Sequence, residues 1–224
     1  MKDRSRNSQK RKGFLLIPLG LLLIAAALFL GGYNLYDSAR AGEAAGRALI
    51  GLEQFIPTEP TGESLREPVS PQTPPAGVKE IVIPDYILNP NMEMPVKSLD
   101  GVDYIGILLI PALELELPVV SQWSYPDLKI APCRYSGSAY QNNLVIAGHN
   151  YASHFGTIKN LEEGDAVIFT DMDGNRFTYR VVEQEILRPS ATEEMEAGDW
   201  NLTLFTCTVG AQNRVTVRCE LENG

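Results

Sequence analysis

Three side chains at the ends of apolar runs have the chemistry for covalent catalysis. The run Leu202-Thr203-Leu204-Phe205-Thr206-Cys207 ends on a thiol, and Arg214 follows seven residues later. Upstream, Asn143-Leu144-Val145-Ile146-Ala147-Gly148 leads into His149. A thiolate can attack a carbonyl carbon, an imidazole can manage protons, and a guanidinium can hold a developing oxyanion or fix a substrate. Together they are the parts of a cysteine acyl-transfer site. A lone cysteine at a strand end is more often structural, so the reading rests on the three converging.

Their spacing favours convergence. Cys207 and Arg214 flank the six-residue connector Thr208-Val209-Gly210-Ala211-Gln212-Asn213, which places them at the mouth of one hairpin. Directly opposed residues there have Cβ atoms about 4.5–5.5 Å apart. In the next run, Val215, Val217, Cys219 and Leu221 share one strand face, which reads as interior, so Arg214 points outward. Arg218 shares that outward face further from the thiol, and the pattern predicts a charge whose replacement has little effect. His149 follows its strand directly, whereas His154 sits in the loop beyond and is the weaker candidate. These are the only two histidines, and they lack a His-Glu-x-x-His arrangement. A zinc site needs three or four ligands, so no metal or other cofactor is expected.

The remaining cysteines read as structural. Cys219 lies on the interior face of its strand, and Cys133 lies in the loop-like stretch Ala131-Pro132-Cys133-Arg134. Three cysteines leave at least one thiol outside any internal pair, and a Cys133–Cys219 bridge stays open.

The elements that must position these residues occupy only part of the chain. Residues 1–12 carry six positive charges and one negative, so with −9 overall the remainder carries −14. Residues 13–33 are apolar and long enough to span a bilayer core, which takes about 20 residues. The positive-inside rule then keeps the N-terminus in the cytoplasm and exports the rest. The run exceeds the roughly 7–15 residues of a signal-peptide core, which favours an uncleaved anchor. Residues 34–95 read as a juxtamembrane helix followed by a stalk, because residues 57–76 are rich in Pro, Thr, Ser and Glu. The acidic balance argues against nucleic-acid binding, which needs clustered Lys and Arg.

Residues 96–224 alternate short apolar runs with turn signals. Strands are predicted over 104–110, 113–117, 144–147, 166–169, 177–182, 202–207 and 214–221, with short helices near 155–161 and 192–196. That count suggests a closed or nearly closed β-barrel, mainly β, of about seven to eight strands. Asp171-Met172-Asp173-Gly174-Asn175 resembles part of a calcium loop, but its Gly is fourth rather than sixth and it joins two strands, so it reads as a hairpin turn. Asn201-Leu202-Thr203 fits a glycosylation sequon, yet it begins a strand expected to be buried and carries no weight.

At these residues the chain resembles a known family. Thr203-Leu204-Phe205-Thr206-Cys207 matches the sortase signature Thr-Leu-x-Thr-Cys, and Arg214 stands where that family carries its arginine. Val145-Ile146-Ala147-Gly148-His149 is similar to the strand ending on the sortase histidine. Ile105-Gly106-Ile107-Leu108-Leu109-Ile110-Pro111 and Leu117-Pro118-Val119 resemble its opening strands. The resemblance implies a single-pass membrane cysteine transpeptidase with an extracellular β-barrel, acting on secreted proteins that carry a C-terminal sorting signal similar to Leu-Pro-x-Thr-Gly. It implies Cys207 as nucleophile, His149 as proton carrier, Arg214 on the oxyanion or motif backbone, and Thr206 as a substrate-positioning residue. The acceptor is a peptidoglycan precursor or a pilin amine. A membrane-anchored cysteine peptidase and a non-catalytic wall-binding β-domain are the alternatives from other classes.

Overall fold

The computed structural model describes residues 4–57, 83–197 and 200–222. Most of the expected Pro-rich stalk lies outside the described residues. The chain divides into two compact units, residues 1–40 and 41–224.

The first unit is helical. Helix α1 runs from Arg4 to Glu53, 50 residues, so the expected spanning segment and juxtamembrane helix are one continuous element. From Ile17 it is long and apolar enough to cross a membrane by length and composition. Between Ile17 and Tyr36 its large apolar side chains are exposed, Leu28 and Phe29 each by more than 70%.

The second unit is built on nine strands: β1 (Lys97–Leu99), β2 (Val102–Ile110), β3 (Leu115–Val120), β4 (Cys133–Ser136), β5 (Leu144–Gly148), β6 (Ala166–Asp171), β7 (Arg176–Leu187), β8 (Leu202–Cys207) and β9 (Arg214–Leu221). They form one sheet in the order β1-β2-β3-β4-β5-β8-β9-β7-β6, and pairing of β2 with β6 closes β2 to β9 into an eight-stranded barrel. Closure removes the exposed edges that an open sheet would offer to other chains. Most neighbours are antiparallel, but β3–β4 and β5–β8 are parallel.

Alternation along the strands separates two apolar clusters. The inward set takes residues from almost every barrel strand, including Ile105, Leu108, Val119, Ile146, Phe169, Tyr179, Leu204, Val217 and Cys219. The second set lies on the other face of β2, β3, β4, β5 and β8, with Tyr104, Ile107, Val120, Cys133, Ala147 and Phe205. That outer face is covered by residues outside the barrel strands, among them Ala48 and Leu52 of α1.

Three local expectations change. The strictly alternating 113–117 is not one strand: Pro111–Leu113 form a 3-10 turn and Glu114 takes φ 52°, so β3 begins at Leu115. Proline at the first turn position, with φ fixed near −65°, favours that tight turn over extension. The loop-like stretch around Cys133 is β4, a four-residue strand paired with β5. The short helix near 155–161 is a 3-10 turn, Ile158–Asn160, while helix α2 (Thr192–Met195) falls within the predicted 192–196. The acidic stretch after β6 is a hairpin turn. The buried Asp171 carboxylate accepts from the backbone N–H groups of Asp173 and Asn175, each at 2.9 Å, and from the Tyr140 hydroxyl at 2.7 Å.

Candidate active site

Strand direction brings the candidate residues to one end of the barrel. Because β5 and β8 are parallel, their C-terminal ends share an edge, with Gly148 opposite Thr206. His149, just past the end of β5, and Cys207, the last residue of β8, therefore stand at the ends of neighbouring strands, which lie about 4.7–4.9 Å apart. The junction is tied by the buried Thr206 hydroxyl, which donates to the Gly148 carbonyl at 2.8 Å. Thr206, expected to position substrate, is 3% exposed and joins the two strands through this bond.

The antiparallel partner completes the cluster. In the β8–β9 register Cys207 faces Arg214, Phe205 faces Thr216 and Thr203 faces Arg218. Val215, Val217 and Cys219 belong to the inward cluster, so Arg214 points outward with the thiol, and both are half-buried. The connecting loop is closed by the Thr208 N–H on the Asn213 carbonyl at 2.9 Å and by the Asn213 N–H on the Thr208 hydroxyl at 3.1 Å. The Arg214 guanidinium donates through Nη1 to the carbonyls of Asn213, 3.2 Å, and Ala211, 3.5 Å. It is held at the hairpin mouth by the loop itself.

His149 leads into a compact loop. Its ring stacks on Tyr151 with centroids 4.6 Å apart and planes at 28°, and its carbonyl accepts from the Phe155 N–H at 2.9 Å. A Cβ on Gly148 would lie 2.5 Å from the Phe155 ring, so only glycine lets that ring seat beneath the histidine. His154 is fully buried, and burial, reinforced by nearby His149, lowers its pKa to about 4. Its imidazole lies against the backbones of Ala41 and Ile130 but closes no hydrogen bond of good geometry.

Among the three thiols only Cys207 is accessible. Cys133 is buried on the outer face, with its pKa pushed up to about 12 by burial, and burial also raises that of Cys219 inside the barrel. All three are free, so the bridge left open by the sequence does not form. Cys133 and Cys219 lie on opposite faces of the sheet, which keeps their side chains apart.

Arg218 overturns its sequence reading. It is 2% exposed, and its guanidinium bonds the Glu185 carboxylate at 2.8 Å, the Thr203 hydroxyl at 2.9 Å and the carbonyls of Met195 and Glu194 at 3.0 and 2.5 Å. The β7–β8 connector folds over the outward face there and supplies two of those partners. No signal in β9 itself reveals this, because the burying residues lie more than twenty positions earlier.

The Sortase domain model matches residues 108–222, just over half of the chain. The chain belongs to the sortase family. Sortase A of Bacillus anthracis is 31% identical over 116 residues, covering 49% of this chain and 55% of that relative, so the match spans about half of the relative's length. Among solved sortases, Clostridium perfringens sortase C with the C-terminal cell wall sorting motif aligns at TM-score 0.51 and 22% identity, over 62% of this chain and 89% of that one. A Clostridium perfringens Sortase D5 transpeptidase aligns at 0.50 and 21%, over 62% and 94%. At these identities the structural likeness is one of fold.

Proposed function

We propose that this sortase is a cysteine transpeptidase, fixed in the membrane by α1 with its N-terminus cytoplasmic and its barrel outside the cell. It cleaves a C-terminal sorting signal similar to Leu-Pro-x-Thr-Gly in secreted proteins and passes the acyl group to an amine of a peptidoglycan precursor or a pilin. The observation that carries the reading is the direct opposition of Cys207 and Arg214, beside a strand end that delivers His149.

The steps follow from the groups. The Cys207 thiolate adds to the threonine carbonyl carbon, and the electron pair moves onto oxygen. Arg214, outward on the same face, supplies donors to that oxyanion or to the motif backbone. The tetrahedral adduct collapses to a thioester as the C–N bond breaks, and the leaving amine takes a proton from the His149 imidazolium. An acceptor amine then gives a proton to neutral His149, attacks the thioester and expels the thiolate. Thr206 acts through its bond to Gly148, holding the two catalytic strand ends in register.

The test uses the full chain in detergent micelles with a Leu-Pro-x-Thr-Gly peptide, with and without an amine acceptor. Transpeptidation predicts an acceptor-linked product that displaces the hydrolysed one as the amine is raised. Hydrolysis alone, unchanged by acceptor, would make the protein a peptidase.

A further inference from the structure

Tyr151 follows His149 by two residues and lies flat against its ring. The ring centroids are 4.6 Å apart with planes at 28°, and Tyr151 is only 9% exposed. The same tyrosine ring meets the sealed His154, with centroids 5.7 Å apart and planes at 53°. One aromatic side chain therefore touches both imidazoles of the protein.

The loop leaves Tyr151 little freedom. Its carbonyl accepts from the N–H groups of His154 and Gly156 at 3.0 and 2.8 Å, while the His149 carbonyl accepts from Phe155. Gly156 permits so tight a closure, because a Cβ there would lie 2.6 Å from the Asn150 carbonyl oxygen and 2.7 Å from that of Tyr151. The backbones of His149 and Tyr151 thus belong to one small set of bonds. His149 needs that support. It stands one residue past the end of β5, where the sheet ladder no longer holds it. A general acid or base must come within about 2.6–3.2 Å of the proton it moves. An error of about 1 Å in such placement can cost about a hundredfold in rate.

We infer that Tyr151 is a positioning residue for the acyl-transfer site, its ring face holding the His149 imidazole at the angle from which it serves Cys207 and the reacting amine. This rests on the acyl-transfer reading above. A flat aromatic face accommodates the neutral imidazole by stacking and the imidazolium by attraction to its negative face, so the hold persists through both protonation states. His154 does not oppose it near neutrality. Burial keeps the pKa of that second imidazole at about 4, so it is uncharged when His149 carries its proton. The stack uses the planar face of Tyr151 and not its hydroxyl, which separates the effects of different replacements.

Two variants of the full chain in micelles, without added histidines, test this. Tyr151→Phe keeps the face, and Tyr151→Met fills a similar volume without one. With sorting peptide and amine acceptor, Tyr151→Phe stays within about twofold of the wild type. Tyr151→Met loses about ten- to a hundredfold in kcat, with KM changed by less than about twofold. A purely structural role would move the thermal melt without dividing kcat from KM. Ring position is read independently. The chain has two histidines, so isotope labelling of their ring carbons gives two sets of NMR signals, and the set absent from His149→Asn belongs to His149. Stacking on Tyr151 moves the His149 ring protons upfield, a shift kept in Tyr151→Phe and lost in Tyr151→Met. If no form turns over peptide, the acyl-transfer reading fails, yet the ring shifts still report on the stack. Wild-type kcat in Tyr151→Met overturns the inference, and so do equal kcat losses in both variants, which would assign the effect to the hydroxyl. His149 signals in the folded wild type that match those of the acid-unfolded chain overturn it as well. Should Tyr151→Met fail to fold, the kcat of Tyr151→Phe and the ring shifts of that variant and the wild type decide alone.

Discussion

Arg214 and Arg218 are the same residue type on the same face of one strand, four residues apart, and they live in opposite environments. Arg214 is half-buried at the hairpin mouth, bonded to two carbonyls of its own loop. Arg218 is closed off from water and spends its donors on Glu185, Thr203 and the carbonyls of Glu194 and Met195 in α2. The first faces the thiol across the ladder, whereas the second staples the β7–β8 connector over the sheet. The histidines repeat the division, His149 half-buried at the strand end and His154 sealed in the loop behind it. On the proposed function, chemistry belongs to the copy at the strand end, and structure to the copy that a neighbouring segment covers.

Substitutions sharpen that contrast, beginning with the largest effect. Cys207→Ala abolishes both cleavage and transfer while the thermal melt stays in place; Cys133→Ser and Cys219→Ala retain activity, at the cost of a core defect in the second. Next, Arg214→Lys keeps the charge but loses the planar fork of donors, so kcat/KM falls about a hundred- to a thousandfold. Its stability stays within about 0.5 kcal/mol of the wild type. Arg218→Ala reverses the pattern. It removes a buried ion pair and the donors to two backbone carbonyls, lowering stability by roughly 2–4 kcal/mol by denaturant melt. Glu185 is partly exposed and can rehydrate, which keeps the loss below that of a fully sealed pair. Comparable rate losses in Arg214→Lys and Arg218→Lys, with neither unstable, would erase the distinction.

The smallest effect concerns pH. Burial holds the folded pKa of His154, about 4, below the ordinary value of 6.5, so the unfolded chain binds more protons between those limits. Stability contributed by this group is therefore present above the ordinary value and is lost as pH falls toward the folded one. In His154→Phe the decline in melting temperature between pH 7 and pH 4 becomes shallower. An unchanged slope would mean that His154 is not the sealed copy described above.

Much of this site was legible in the chain because strand ends are marked by residue type. The run to Cys207, the run to Gly148 before His149, and the alternation of Val215, Val217 and Cys219 fix which residues stand at an edge and which point in. The parallel pairing of β5 with β8, which places two C-terminal ends together, is a matter of topology and has no local signature. β4 has no legible pattern because four residues between Pro132 and Gly137 are too few for a periodicity. The burial of Arg218 and the covering of the outer face by residues 41–53 both come from segments distant in sequence. A strand pattern says which way a side chain points, and says nothing of what folds over it.

The most direct test is to catch the acyl-enzyme. The full chain in micelles is mixed with a Leu-Pro-x-Thr-Gly peptide without amine acceptor, quenched in acid and digested, and its cysteine fragments are weighed. Thioester formation at Cys207 predicts the mass of the peptide's N-terminal acyl part on the Cys207 fragment alone, removed by hydroxylamine, with the fragments of Cys133 and Cys219 unchanged. Peptide cleavage that persists in Cys207→Ala, with no acyl mass on any cysteine fragment of the wild type, would contradict it.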